Sequence, residues 1–96
     1  MSGKIVKIIK QINPVLEEYQ VKRASIFGSF ARGEEKAKSD LDILVELGGM
    51  VGLFALVGLK DDLEKAVGRK VDLLTYRSVH PFIKKYVRRD EIKIYG

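Results

Sequence analysis

The sequence predicts an α/β (α+β) protein, a small sheet layered against helices. Two observations carry this. Apolar runs of strand length occur at Val21–Phe27, Leu41–Leu47 and residues 70–75. Segments with apolar residues at helical spacing precede, separate and follow them, an alternation that points to a layered domain. A chain of 96 residues fits one domain, residues 1–96, and leaves no room for a second core.

The elements follow in order. Ile5, Ile8, Ile9, Ile12 and Leu16 recur at helical spacing with Lys4, Lys7 and Lys10 on other faces, an amphipathic helix packed on a core. Pro14 lacks an N–H, so that helix kinks there or restarts with Asn13 as its cap. Residues 21–27 (VKRASIF) form a strand stopped by Gly28. The polar stretch from Gly28 to Ser39 suits a loop with one helical turn. Leu41–Leu47 is a second strand, and the unbroken run Ile43, Leu44, Val45 predicts burial on both faces, with Gly48 and Gly49 ending it. Leu53, Leu56, Leu59, Leu63, Ala66 and Val67 then repeat helically and stop at Gly68, a C-terminal cap. Gly52 and Gly58 weaken the first half of that helix by about 1 kcal/mol each relative to alanine. Residues 70–75 (KVDLLT) form a third strand. Pro81 suits the first position of a last helix that buries Phe82, Ile83, Tyr86 and Val87, and the alternation from Ile92 to Tyr95 can add an edge strand.

Composition excludes several classes of function. The chain has no cysteine, which removes disulfides, zinc–thiolate sites and thiol catalysis together and suits a reducing compartment. No apolar run approaches the ~20 residues that span a bilayer, and the lysine-rich start lacks a signal-peptide core, so a soluble cytoplasmic protein with no membrane partner is expected. Lys+Arg outnumber Asp+Glu by 18 to 13, a net charge of +5. That balance favours polyanionic partners such as nucleotide phosphates, nucleic acid or an acidic protein face, and serves solubility equally well. From Arg77 onward the basic residues Arg77, Lys84, Lys85, Arg88, Arg89 and Lys93 face only Asp90 and Glu91.

Three features carry chemistry. Asp40 and Asp42 flank Leu41 at the entrance of an apolar strand, where alternation would turn both carboxylates the same way. At about 4 Å such a pair repels by ~4 kcal/mol at an effective dielectric near 20, and hard oxygen ligands suit Mg²⁺. Asp72 sits equally early in the third strand, where a charge is expensive unless paired or metal-bound. The chain between Asp42 and Asp72 is long enough for a helix and a return to an adjacent strand, bringing a third carboxylate alongside. Two Mg²⁺ ions held by such carboxylates are the usual apparatus for in-line attack on phosphorus. Third, Gly28 and Ser29 end a strand and enter a helical turn, which presents backbone N–H groups and a hydroxyl to phosphate, with Arg32 one turn on. Taken alone, each of these short motifs also reads as ordinary structure: a solvated acidic pair, or a simple turn.

Their order and spacing narrow the choice. Gly28-Ser29, ten residues, Asp40-x-Asp42 and a later strand aspartate make the pattern G-S-x10-D-x-D. The chain thereby resembles the minimal nucleotidyltransferase family of the DNA polymerase beta-like superfamily. The stretches FGSFARG (residues 27–33), SDLDILV (39–45) and GRKVDLL (68–74) are similar to its small prokaryotic members, and the likeness covers nearly the whole chain. The resemblance implies the nucleotidyltransferase fold, a mixed sheet flanked by helices. It implies that Asp40 and Asp42 bind Mg²⁺, that Gly28 and Ser29 hold the triphosphate of an NTP, and that Asp72 helps a second metal ion or accepts the proton of the attacking hydroxyl. It further implies a HEPN-domain toxin as partner and an antitoxin role, since some members transfer AMP from ATP to a tyrosine of such a toxin. No segment is left for recognising a base or a template, so nucleic acid is not expected as a direct substrate; a homo-oligomer is compatible.

Other residues have plainer readings. His80 before Pro81 reads as an exposed neighbour of a helix cap, Tyr86 as part of an apolar helix face, and Arg88-Arg89 as a solvated helix end. Tyr95 stays open to modification or partner contact, and Gly48, Gly49 and Gly52 read as a plain connection. Three functions remain in view: AMP transfer to a protein hydroxyl, neutralisation of a toxin by binding alone, and nucleotidyl transfer to a small molecule.

Overall fold

The computed structural model describes residues 3–48 and 53–96. Gly49 and Gly52, expected in the connection that follows the second strand, lie outside these residues. Along the chain run α1 (Gly3–Glu18), β1 (Val21–Phe27), α2 (Gly28–Arg32), β2 (Leu41–Leu47), α3 (Leu53–Val67), β3 (Val71–Thr75), a 3-10 turn (Tyr76–Ser78), α4 (Pro81–Asp90) and β4 (Ile92–Tyr95).

The sheet has the order β3-β2-β1-β4. β1 runs antiparallel to both β2 and β4, whereas β2 and β3 are parallel, so the sheet is mixed as expected. A parallel pair cannot be joined by a hairpin, and α3 makes the crossover. One face of the sheet is covered by α1 and α3. Ile5, Ile8, Ile12 and Leu16 of α1 meet Leu59 and Leu63 of α3 over Ala24, Ile26, Leu41, Ile43 and Val45, most of them without solvent contact. Val21 and Ala24, three positions apart, both reach this core because the register of β1 shifts between Val21 and Arg23, a bulge that resets the alternation. Leu44 is also buried, on the opposite face, as the unbroken apolar run predicted.

Two expectations need correction. Of the two outcomes expected at Pro14, the restart with Asn13 as cap does not occur: α1 runs through the proline. Ile12 and Leu16, fully buried on either side of Pro14, hold the helix in phase while its missing N–H faces the exposed side. Asn13 instead turns its amide inward, and its Oδ1 has no hydrogen-bond partner among the described residues. In α4, Phe82 is 81% exposed and Tyr86 49% exposed, contrary to the predicted burial. Val87 is half-buried, and the side chain of Ile83 lies outside the described residues. Helical spacing marks a stripe on one side of a helix; it cannot tell whether anything covers that stripe.

Local chemistry fixes the ends. Pro81 occupies the first turn of α4, and His80, rather than merely neighbouring the cap, is the cap: its Nδ1 accepts a hydrogen bond from Phe82 N at 3.2 Å. Gly68 closes α3 at φ +70°, with its N–H on Glu64 O at 2.8 Å. Gly58 stays in the middle of α3 for a packing reason. A Cβ there would lie 3.0 Å from the Tyr19 hydroxyl, which donates to Asp62 Oδ2 at 2.7 Å and so ties the end of α1 to α3.

Candidate active site

The parallel register of β2 and β3 sets Asp42 directly opposite Asp72, and Leu44 opposite Leu74. The alternation that sends Leu41 and Ile43 into the core sends Asp42 to the other face of the sheet. Antiparallel pairing sets Phe27 opposite Asp42, so the chain leaves β1 for α2 immediately beside that carboxylate. Gly28 makes the turn at φ +72°, in the left-handed region that favours glycine. A Cβ at this position would overlap Asp42 Oδ2 and lie 3.0 Å from its Cγ. Glycine is therefore demanded twice, by the backbone angle and by the carboxylate pressed against it.

Ser29 and Arg32 follow on the single turn of α2, anchored in the core by Phe30, which is 2% exposed. Gly33 ends the turn in the left-handed conformation, and Glu34 N donates to Ser29 O at 2.8 Å. Arg32 is held by Glu34 Oε1 at 3.2 Å and Asp90 Oδ2 at 3.5 Å, so it bridges α2 to the end of α4. Asp40 is exposed and stands one residue before β2.

The electrostatics centre on Asp42. Half-burial pushes its carboxyl up from 3.8 to about 6; the charge of Asp72, a hydrogen bond with Asp72 and the charge of Asp40 push the same way, and Arg32 opposes them. The two carboxylates of Asp42 and Asp72 thus sit within hydrogen-bonding reach, and Asp40 and Arg32 are close enough to act on the pair. Among the described residues, no three acidic or histidine side chains are gathered closely enough to cage a metal ion by themselves. The donor set still fits Mg²⁺, which is usually bound by one or two carboxylates together with substrate phosphates and water rather than by an all-protein cage. Two carboxylates that repel each other across adjacent strands offer that partial set.

Arg69, assigned no role by residue type or spacing, ties the site's loops together. Its Nη1 donates to Ser39 O at 2.9 Å, and its guanidinium lies 4.8 Å from the centre of the Phe30 ring. With Leu41 N on Lys70 O at 3.0 Å, this fixes the approach to Asp40 against the entrance of β3. Only its place inside the GRKVDLL stretch marked it beforehand. Farther along the same face, Ser25 Oγ and Tyr76 Oη lie 2.6 Å apart and the Arg23 guanidinium sits 4.1 Å over the Tyr76 ring, a half-buried cluster that periodicity did not reveal. A cleft of about 320 Å³ beside it is lined by Leu44, Tyr76, Val79, Lys84, Val87 and Arg88, among others, but not by Asp42 or Asp72.

Comparison with known proteins shows the family and the fold. The family profile described as nucleotidyltransferase domain matches residues 3–94. The chain is 48% identical over 90 residues to a Methanocaldococcus jannaschii protein assigned as a protein adenylyltransferase, covering 94% of this chain and 97% of that one. It is similar to a solved minimal nucleotidyltransferase with a TM-score of 0.80 and 30% identity, covering 93% of this chain and 91% of the other. It shares its fold with a chain from the complex of a tri-AMPylated Shewanella oneidensis HEPN toxin with its MNT antitoxin, at a TM-score of 0.71 and 22% identity, covering 93% and 70%.

Proposed function

The chain belongs to the nucleotidyltransferase-domain family and is a nucleotidyltransferase, and from that premise we propose that it transfers AMP from ATP to a tyrosine hydroxyl of a HEPN-type toxin, silencing it as an antitoxin. The observation that carries this reading is the in-register pair of Asp42 and Asp72 beside the Gly28–Ser29 turn. A protein that only bound its partner would gain nothing from a repelling pair of carboxylates pressed against a glycine turn. The relatives support the choice of nucleotide and acceptor: one is assigned as a protein adenylyltransferase, and a structural neighbour is partnered by an AMPylated HEPN toxin.

In the proposed reaction the acceptor oxygen attacks the α-phosphorus of ATP. A new P–O bond forms, the bond to the β-phosphate oxygen breaks, and pyrophosphate leaves with that electron pair. The backbone N–H groups at Gly28 and Ser29 and the Ser29 hydroxyl donate to the triphosphate. Arg32 exchanges Glu34 and Asp90 for phosphate oxygens, with charge-assisted hydrogen bonds. Asp40, Asp42 and Asp72 would hold Mg²⁺, which when bound supplies positive charge at the phosphoryl oxygens. Asp72, the more exposed of the strand pair, faces the open side from which an acceptor arrives and takes the hydroxyl proton. Gly28 keeps the backbone low enough for phosphate and Asp42 to share the corner.

The test is transfer of label from α-labelled ATP with Mg²⁺ to a purified HEPN-domain protein, sought first in the neighbouring reading frame. Wild type is expected to add mass in steps of AMP. Asp40→Asn, Asp42→Asn and Asp72→Asn are expected to keep the fold and lose at least ~10²–10³-fold in rate, the scale of one lost charge-stabilising group. A wild-type pair that binds tightly and silences the toxin with no mass change would replace catalysis by neutralisation through binding alone.

A further inference from the structure

We propose that the outer face of α4 is the surface on which the acceptor protein docks, with Phe82 and Tyr86 as apolar anchors and Lys85 and Arg89 as a cationic rim. The surface it takes is apolar at its centre and acidic around it. This rests on the reading that the acceptor is a protein, and goes beyond it by placing the contact.

Phe82 and Tyr86 are one helical turn apart and so share a face. Phe82 is the second most exposed large hydrophobic side chain among the described residues, at 81%, and Tyr86 is half exposed. Lys85 and Arg89 flank the Tyr86 ring, whereas Lys84 and Arg88 line the cleft on the other side of the helix. The only acid of α4, Asp90, is already engaged by Arg32 at 3.5 Å and Arg89 at 3.4 Å. An apolar centre ringed by charge is the anatomy of a protein interface, in which aromatic residues and arginine supply most of the affinity. The excess of cations selects a partner of opposite sign.

The location suits an acceptor. The C-terminal end of α4 meets α2 through the Arg32–Asp90 pair, and Arg32 is close enough to Asp42 to favour its charged form. From there the helix runs outward for its ten residues, roughly 15 Å. A protein lying along α4 therefore has one end beside Arg32, the cation that acts on Asp42.

The rings also argue against nucleic acid as the occupant. Lys85 Nζ sits 5.3 Å and Arg89 Cζ 5.4 Å from the centre of Tyr86, and His80 stacks on Phe82 at 5.1 Å. The chain's own groups thus occupy one face of Phe82 and flank Tyr86, which leaves less free ring surface for stacking on bases. A second copy pairing this face with itself would set Lys85 and Arg89 against their own copies.

The experiment measures the affinity of the HEPN-domain protein for this chain, and the KM and kcat for labelling it, in wild type, Phe82→Ala/Tyr86→Ala and Lys85→Glu/Arg89→Glu. Both side chains of the first variant are exposed, so folding is expected to hold, and the melting shift with Mg-ATP checks that the nucleotide site is intact. The expected result is at least about tenfold weaker partner binding and a matching rise in KM, with kcat at saturating partner and the Mg-ATP shift unchanged. The charge reversal should lose more at low salt than at high salt. Unchanged affinity and KM in both variants would overturn the proposal. So would loss of binding to single-stranded RNA, or of self-association in sedimentation, with partner affinity intact. Affinity is read without catalysis, so a wild type that binds but labels nothing counts against AMP transfer while the variants still decide the docking face.

Discussion

Asp42 is a carboxylate kept half out of water beside Asp72, and its proton affinity records the cost. Folding raises its pKa from 3.8 to about 6, so the native state holds a proton the unfolded chain has released across that interval. The stability from this group is complete below the unperturbed value and is lost as pH rises through about 6. Asp42→Asn removes the group that loses it. In metal-free protein the variant is expected to match wild type at the acid end of this window and to become the more stable above it, by ~1 kcal/mol or less because solvent screens a half-exposed pair. Thermal melts across the window measure this; parallel curves for the two proteins would show that the repulsion does not act on the fold.

At the scale of the element, α3 shows how a local propensity yields to a contact. Alanine is preferred to glycine inside a helix by about 1 kcal/mol. At Gly58 that gain is opposed by the Tyr19 hydroxyl, 3.0 Å from where a Cβ would stand, whereas the nearest ring carbon is at 3.7 Å. The hydroxyl cannot move aside without giving up its 2.7 Å hydrogen bond to Asp62, which together with burial and the charges of Asp62, Glu18 and Asp61 pushes the Tyr19 pKa up to about 12. Gly58→Ala is therefore expected to be neutral or destabilising in wild type and stabilising by about 0.5–1 kcal/mol in a Tyr19→Phe background. A double-mutant cycle by denaturant unfolding reads the difference, and additive effects would refute the account. α1 makes the complementary point: burial of Ile12 and Leu16 carries a helix through Pro14 where propensity predicts a break.

For the whole molecule the central expectation is that metal and nucleotide stabilise it together. Carboxylates that repel one another gain most when Mg²⁺ and triphosphate arrive as a pair. At a free concentration of about 100 times Kd the gain is ~2.7 kcal/mol, several degrees for a small domain. ATP with EDTA should give much less. A melting temperature that does not move with millimolar Mg-ATP would leave this nucleotidyltransferase without the site proposed for it. No helix among the described residues is long and apolar enough to cross a membrane.

Most of the elements were legible in the residues because their causes are local. Glycines at 28 and 68 and proline at 81 punctuate the chain, and apolar spacing separates strand from helix between them. Gly28, Ser29, Asp40, Asp42 and Asp72 could be singled out by their order and spacing together, since each motif alone reads as ordinary structure. What the tertiary structure decided is pairing and cover. The parallel register of β2 and β3 sets Asp42 against Asp72, a long-range partnership that no local pattern encodes. Arg69 acquires its role only when the chain returns to Ser39 and Phe30. The stripe of α4 read as core and is surface, because periodicity reports which residues share a side of a helix and burial depends on what packs against it.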